Sequence, residues 1–274
     1  MCELFAMSSR MPASVRFSLE AFARRGGLEG PHKDGWGLAY YRDGDVQRIR
    51  DPEPAAHSAC LRFLQDRPFI SSAVIGHIRR ATQGSHGLRN CQPFTRELGG
   101  AMHVFAHNGD LDAVRLRTRF TLGAYHPVGD TDSEYAFCAL LEDLRLAWIA
   151  EGGRPPLAAR LAIVADFAAA IRALGPANFI YADGDALFAH GHRRMHDGEG
   201  PRPPGLHVLC RHCTQAAASF EAEGLSLRSA PAEQDVVLFA SQPLTAEPAW
   251  QPLGEGEVIA VRGGRVAARV PADR

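Results

Sequence analysis

A cysteine follows the initiator methionine directly, in Met1-Cys2-Glu3. Cys is small enough for methionine trimming to be expected, and the residue then carries a thiol and a free α-amine together. An α-amine has an unperturbed pKa of about 8, against about 10.4 for a lysine side chain, so near pH 7 a useful fraction is neutral and can accept the thiol proton. Activation of a Cys or Thr nucleophile by its own amine is a route to amide hydrolysis. Three further groups carry matching chemistry. Arg79 offers a guanidinium that grips carboxylates through two parallel bonds. His107-Asn108-Gly109 places a side-chain amide beside a flexible backbone N–H, which suits an oxyanion hole. Asp132 can hold an ammonium group. Each has an ordinary alternative: a solvated arginine at a strand end, an Asn-Gly turn, and a carboxylate that complements a helix dipole. Together they describe a pocket for a free amino acid bearing a side-chain amide, with glutamine the first candidate.

These groups need elements to bring them together. CELFAM, Cys2 to Met7, reads as a buried strand with Cys2 at its tip. After Pro12, Val15, Leu19, Phe22 and Ala23 share one helical face that ends at Gly26-Gly27. A glycine-rich loop, Gly26 to Gly37, leads into a hairpin of GLAYY and VQRIR around Asp43-Gly44. Glu53 to Gln65 reads as a helix through Ala56, Cys60, Leu61 and Leu64. Ile70 to Ile78 is a central strand that stops at RRATQGSHG, and Gly100 to Ala106 is a second that stops at HNGDL. Polar loops at the ends of buried strands are where sites are commonly built.

Thr131 and Glu134 have capping-box spacing, which puts Asp132 in the first turn of a helix reaching about Ala150 through Phe137, Leu140, Leu141 and Leu144. A further helix, about Leu157 to Leu174, faces inward with Leu161, Val164, Phe167 and Ile171. The remainder reads as β structure: NFIYA, ALFAH, LHVLCRHC, VVLFASQPL, VIAVR and RVAAR. Strands, then helices, then strands joined by hairpins favour antiparallel sheets covered by helices. No repeat or linker-like break interrupts the 274 residues, so a single domain over 1–274 is expected.

The formal charge of −1 gives no reason to expect nucleic acid or an anionic membrane as partner. Basic residues are nearly all arginine, with Lys33 the only lysine. The six cysteines, Cys2, Cys60, Cys91, Cys138, Cys210 and Cys213, are scattered, and the start lacks a signal peptide's pattern, so a cytoplasmic protein is expected. No apolar run approaches the ~20 residues that span a bilayer. His207, Cys210, His212 and Cys213 lie in one strand, where side chains alternate faces, and no second ligand pair follows, so no metal is expected. His190, His192 and His196 read as hairpin-end surface.

The chain resembles class II glutamine amidotransferases of the N-terminal-nucleophile (Ntn) hydrolase superfamily, in particular small stand-alone members. The matching segments are Met1-Cys2-Glu3-Leu4, Gly30 to Gly37 (GPHKDGWG), His77 to Gly84 (HIRRATQG), Asn90 to Phe94 (NCQPF), Ala106 to Gly109, Gly129 to Glu134 and Ala240 to Leu244 (ASQPL). They run in order over nearly the whole chain.

The resemblance implies an α+β fold, a four-layer αββα sandwich of two antiparallel sheets. It implies Cys2 as nucleophile and base, Asn108 and Gly109 as the oxyanion hole, Arg79 for the substrate carboxylate and Asp132 for its ammonium. Thr82 would line the glutamine site in a loop that closes over the substrate. No cofactor is implied. The chain departs from larger, synthase-fused relatives in two places: Arg80 and Gln83 replace Trp and His in their HTRWATHG motif, and Pro31-His32 stand where they carry Arg-Gly. His32 is a candidate neighbour of the nucleophile. Since the sequence ends at Arg274 without a synthase domain, the expected partners are glutamine or another γ-glutamyl small molecule, an unidentified ammonia-accepting synthase, and further copies of the chain in a homo-oligomer. Two alternatives share these residues: hydrolysis of another γ-glutamyl amide or thiol conjugate, and a non-catalytic glutamine-binding subunit.

Overall fold

The computed structural model describes residues 2–17, 33–65, 69–196, 199–213, 219–222, 225–228 and 233–272. β1 (Glu3–Phe17) runs between β4 (Phe69–Ile78) and β14 (Gln234–Ala240), antiparallel to both, with Glu3 opposite Ile78 and Phe5 opposite Ala240. β2 (Trp36–Arg42) and β3 (Asp45–Asp51) extend the sheet beyond β4, and β11 (His207–Cys213) with β15 (Gln251–Pro252) extends it beyond β14. β13 (Leu225–Arg228) pairs with the far half of β1 and β12 (Ser219–Ala222) pairs with β13, which completes nine strands. The second sheet has six strands in the order β17 (Arg265–Val270), β16 (Val258–Arg262), β8 (Leu187–His190), β7 (Ala177–Ala182), β6 (Ala101–Gly109) and β5 (Phe94–Leu98). β9 (Arg194–His196) and β10 (Glu199–Arg202) form a separate ribbon.

Alternation along the strands sorts the side chains into layers. Leu4, Ala6, Ile75 and Phe239 of the larger sheet meet Val104, Ala106, Ile180 and Ile259 of the smaller one in a core between the sheets. The other face of the smaller sheet, with Phe105, Phe179, Tyr181 and Phe188, packs against Leu116 of α2 (Ala113–Arg119) and against α3 (Asp132–Glu151) and α4 (Leu157–Arg172). The inward residues expected on both helices are all buried there. On the outer face of the larger sheet, Phe5, Met7, Trp36 and Leu38 are covered by Leu61 of α1 (Ala59–Gln65) and by Leu244 and Trp250. The architecture is the expected α+β, αββα arrangement of two antiparallel sheets. Among the described residues no helix is long and apolar enough to cross a membrane.

Four expectations are corrected. The helix expected from Val15 is strand as far as Phe17, because β4 and β13 offer that backbone two ladders; its remainder, with Leu19, Phe22 and Ala23, lies outside the described residues, as does His32 of the following loop. The helix over 53–65 is split by Ser58 into a 3-10 turn, Ala55–His57, and α1. Ser58 Oγ accepts the Leu61 N–H at 3.2 Å, as an N-cap hydroxyl does. β6 does not stop at Ala106 but continues through Asn108, paired with Asn178, to Gly109, paired with Ala177. His190 and His192 are buried rather than surface residues, with His190 Nδ1 3.1 Å from the Glu257 carbonyl and His192 Nδ1 accepting the Ala177 N–H at 3.3 Å.

Burial holds the imidazoles of His103 and His190 neutral, pushing their pKa values down to about 4 and about 3. An unfolded chain takes up those protons near pH 6.5 and the folded chain does not, so stability falls as pH drops from about 6.5 toward 4, at up to about 1.4 kcal/mol per pH unit for each imidazole. Thermal melts between pH 7.5 and 4.5 will show that loss, with a shallower slope in His190→Gln; the same slope in that variant refutes the assignment.

Candidate active site

Cys2 precedes the central strand of the larger sheet, so it sits beside the residues that follow β4. Its Sγ donates to the Arg80 carbonyl and accepts the Arg80 N–H, both at 3.3 Å. From the other sheet, Asn108 Nδ2 donates to the Cys2 carbonyl at 2.6 Å and to Ser241 Oγ at 3.3 Å. Gly109 follows where only glycine fits, since a Cβ there would lie 1.9 Å from the Pro176 carbonyl oxygen.

Arg79 is buried, yet among the described residues its guanidinium bonds only to carbonyls: Asp34 and Ser85 through one terminal nitrogen, Gln83 and Gly84 through the other, at 3.1 to 3.4 Å. The loop after β4 therefore wraps the cation without neutralising it. Gln83 closes the loop onto β6's end through Asp110 Oδ1 (2.5 Å) and the Leu111 carbonyl (2.7 Å). Ser85 and Asn90 close it onto Asp130. Gln83, where the larger relatives carry His, is thus a strut of the loop. Thr82 lies in the same loop, exposed, and its side chain makes no hydrogen bond among the described residues.

Asp132 starts α3 behind the N-cap Thr131, whose hydroxyl accepts the Glu134 N–H at 3.2 Å as the capping spacing predicts. Glu134 does not complete a capping box: its carboxylate accepts from Gly129 N–H and pairs with Arg96. Asp132 is buried and accepts the Leu111 N–H at 2.8 Å. Both Arg79 and Asp132 act electrostatically on the Cys2 thiol, the first lowering its pKa and the second raising it. Burial outweighs both and pushes the thiol up to about 11. His107, bonded to Ser133 Oγ at 2.8 Å, is likewise kept neutral by burial against the pull of Asp132 and Asp110. Cys2, Arg79, Asn108, Gly109 and Asp132 are thus brought together, and Thr82 stands apart from their contacts.

Sequence reasoning missed the clamp on the segment after Cys2. Arg194 donates to Glu3 Oε1 at 2.8 Å and to the Ser241 carbonyl at 2.7 Å, all buried, and Ser241 Oγ accepts the Leu4 N–H at 2.9 Å. Ser241 lies in the matching segment ASQPL, which could have flagged it. Arg194 lies in no motif. Among the described residues no group of three or more His, Cys, Asp or Glu is placed to hold a metal ion; His212 is taken up by Asp235 at 2.5 Å.

The profile of the family described as "Glutamine amidotransferases class-II" matches residues 1–274. The chain belongs to this family. YafJ of Escherichia coli strain K12, provisionally assigned as a glutamine amidotransferase, is 36% identical over 94% of this chain and 96% of its own. A provisionally assigned Haemophilus influenzae glutamine amidotransferase is 30% identical over 98% of this chain and 87% of its own. The crystal structure of a predicted glutamine amidotransferase from Pseudomonas aeruginosa PA01 superposes with a TM-score of 0.73 at 33% identity, covering 97% of this chain and all of the other. The glutamine phosphoribosylpyrophosphate amidotransferase of B. subtilis shares the fold, with a TM-score of 0.61 at 12% identity over 99% of this chain and 49% of that one.

Removing one partner of a buried pair strands the other charge, which costs on the order of 3–5 kcal/mol. Arg194→Met is expected to lose about that much stability in urea unfolding. The double variant Glu3→Gln/Arg194→Met should recover part of the loss; an additive double variant would show that the pair does not couple.

Proposed function

We propose that this family member cleaves the side-chain amide of glutamine through a thioester on Cys2, releasing ammonia and glutamate. The observation that carries the proposal is the convergence on one buried thiol of an un-neutralised guanidinium, Arg79, a buried carboxylate, Asp132, and the Asn108 amide, 2.6 Å from the Cys2 carbonyl. Arg79 and Asp132 hold the α-carboxylate and α-ammonium of the substrate, and the loop carrying Thr82 and Gln83 shuts over it.

A thiol pushed up to about 11 is almost wholly protonated near neutrality, so it needs a base within reach. Loss of Met1 supplies one, the α-amine of Cys2. The amine takes the thiol proton as sulfur bonds to the amide carbon, and the carbonyl electron pair moves onto oxygen, which Asn108 Nδ2 and the Gly109 N–H stabilise. Collapse expels ammonia with the proton held by the amine. Water, deprotonated by the same amine, then attacks the thioester, the carbon–sulfur bond breaks, and glutamate leaves as the thiol regains its proton.

Cys2→Ala is expected to abolish glutamate release, and Asn108→Ala to lower kcat on the order of 100- to 1000-fold, the usual effect of losing one oxyanion donor. Glutamate release by purified Cys2→Ala protein would sink the proposal. Protein that keeps Met1, made with methionine aminopeptidase inhibited, should be inactive. Iodoacetamide labelling of its Cys2, followed by mass spectrometry, should speed up about tenfold per pH unit from pH 7 to 9, as a thiolate fraction does below its pKa. A plateau below pH 9 contradicts the buried, protonated thiol.

A further inference from the structure

Behind the strand end that carries Asn108 and Gly109 lies a separate cavity of about 760 Å³. Its wall includes the segment 174–176, which on its other side anchors the end of β6: Asp110 N–H donates to the Pro176 carbonyl at 3.1 Å and Asp112 N–H to the Leu174 carbonyl at 3.0 Å. The volume falls within the range of small-molecule sites. Its lining is cationic, with Arg115, Arg172 and Arg193 against one carboxylate, Glu255; His192 also lines it, but burial lowers its pKa and disfavours its charged form.

Glu255 is already taken, being 2.5 Å from Arg193 Nε and 3.6 Å from His192 Nε2. Among the described residues Arg172 bonds only to the carbonyls of Gly256 and Ala272, at 3.3 and 3.1 Å, and has no carboxylate partner there. The Arg115 side chain has no hydrogen-bond or ion-pair partner among the described residues, although it lines the cavity. Two guanidinium groups without a carboxylate partner among the described residues thus share one concave site, and guanidinium forks match phosphate and carboxylate geometry.

We propose that this cavity binds a small dianion, a phosphate monoester or a dicarboxylate, held between Arg115 and Arg172. The site is distinct from the Cys2 site, and the proposal does not rest on the reaction above. The full chain is titrated calorimetrically with inorganic phosphate and separately with succinate, at constant ionic strength held with sodium chloride. At least one should bind saturably at one site per chain. Preference for phosphate assigns phosphate monoesters and preference for succinate assigns dicarboxylates. Arg115 holds no other group, so Arg115→Ala should leave the melting temperature of the free protein unchanged while weakening binding tenfold or more, as loss of a charge-assisted bond does. Arg115→Lys, which keeps the charge without the fork, should fall between. Absence of saturable binding for both anions, or equal affinity in Arg115→Ala, overturns the proposal.

Discussion

Chain termini fray unless something ties them down, and the residues around Cys2 are held from three directions. The ladders of β4 and β14 flank β1 on either side, so the strand that starts at Glu3 lies in the interior of a sheet and not at its edge. Arg194 fixes the Glu3 carboxylate, and Ser241 returns two hydrogen bonds to Leu4, one through its hydroxyl and one through its N–H. Asn108 reaches across from the other sheet to the Cys2 carbonyl. In the proposed reaction the nucleophile uses its own α-amine and so has to be terminal, and this scaffold supplies the rigidity that a terminus lacks.

That burial has an electrostatic cost, visible at the thiol and at His107. The thiol itself is pushed up and His107 is pushed down, both by desolvation. Among the described residues the two charged side chains have no charged partner: Arg79 is held by carbonyls and Asp132 by a backbone N–H and a hydroxyl. Dipoles keep such groups oriented while leaving their net charge in place, and a buried charge so held interacts strongly with a ligand of opposite sign. An Arg79–Asp132 salt bridge would leave neither charge free for a ligand.

How far the sequence was legible depended on the range of the interactions. Thr131 spoke for its own helix start because a cap acts over three residues, and the inward faces of α3 and α4 followed from a period that local sequence sets. Cys2, Arg79, Asn108, Gly109 and Asp132 were readable as chemistry because their types fit one ligand. Their environment was less so. Asn108-Gly109 has the composition of a turn and became strand only because β7 pairs with it, about 70 residues away. His190 and His192 looked polar enough for the surface, yet backbone partners at Glu257 and Ala177 satisfy one nitrogen of each and permit burial. The Glu3–Arg194 pair spans 191 residues and leaves no local pattern.

The end of β6 shows how the fold turns a flexible dipeptide into a fixed donor pair. Gly109 presses against the Pro176 carbonyl, and a Cβ at Gly175 would lie 2.1 Å from the Asp110 carbonyl oxygen. Two backbones therefore touch where no side chain intervenes, and the hydrogen bonds of Asp110 and Asp112 to Pro176 and Leu174 lock the contact. Asn178 adds a third tie, donating to the Asn108 carbonyl at 2.9 Å. In an interior packed as densely as a crystal, such a contact has little room to yield. In the proposed reaction Asn108 and Gly109 are the oxyanion donors, which work by being in place before charge develops; the glycines at 109 and 175 supply that rigidity, since by removing two side chains they let one strand end be braced directly by another.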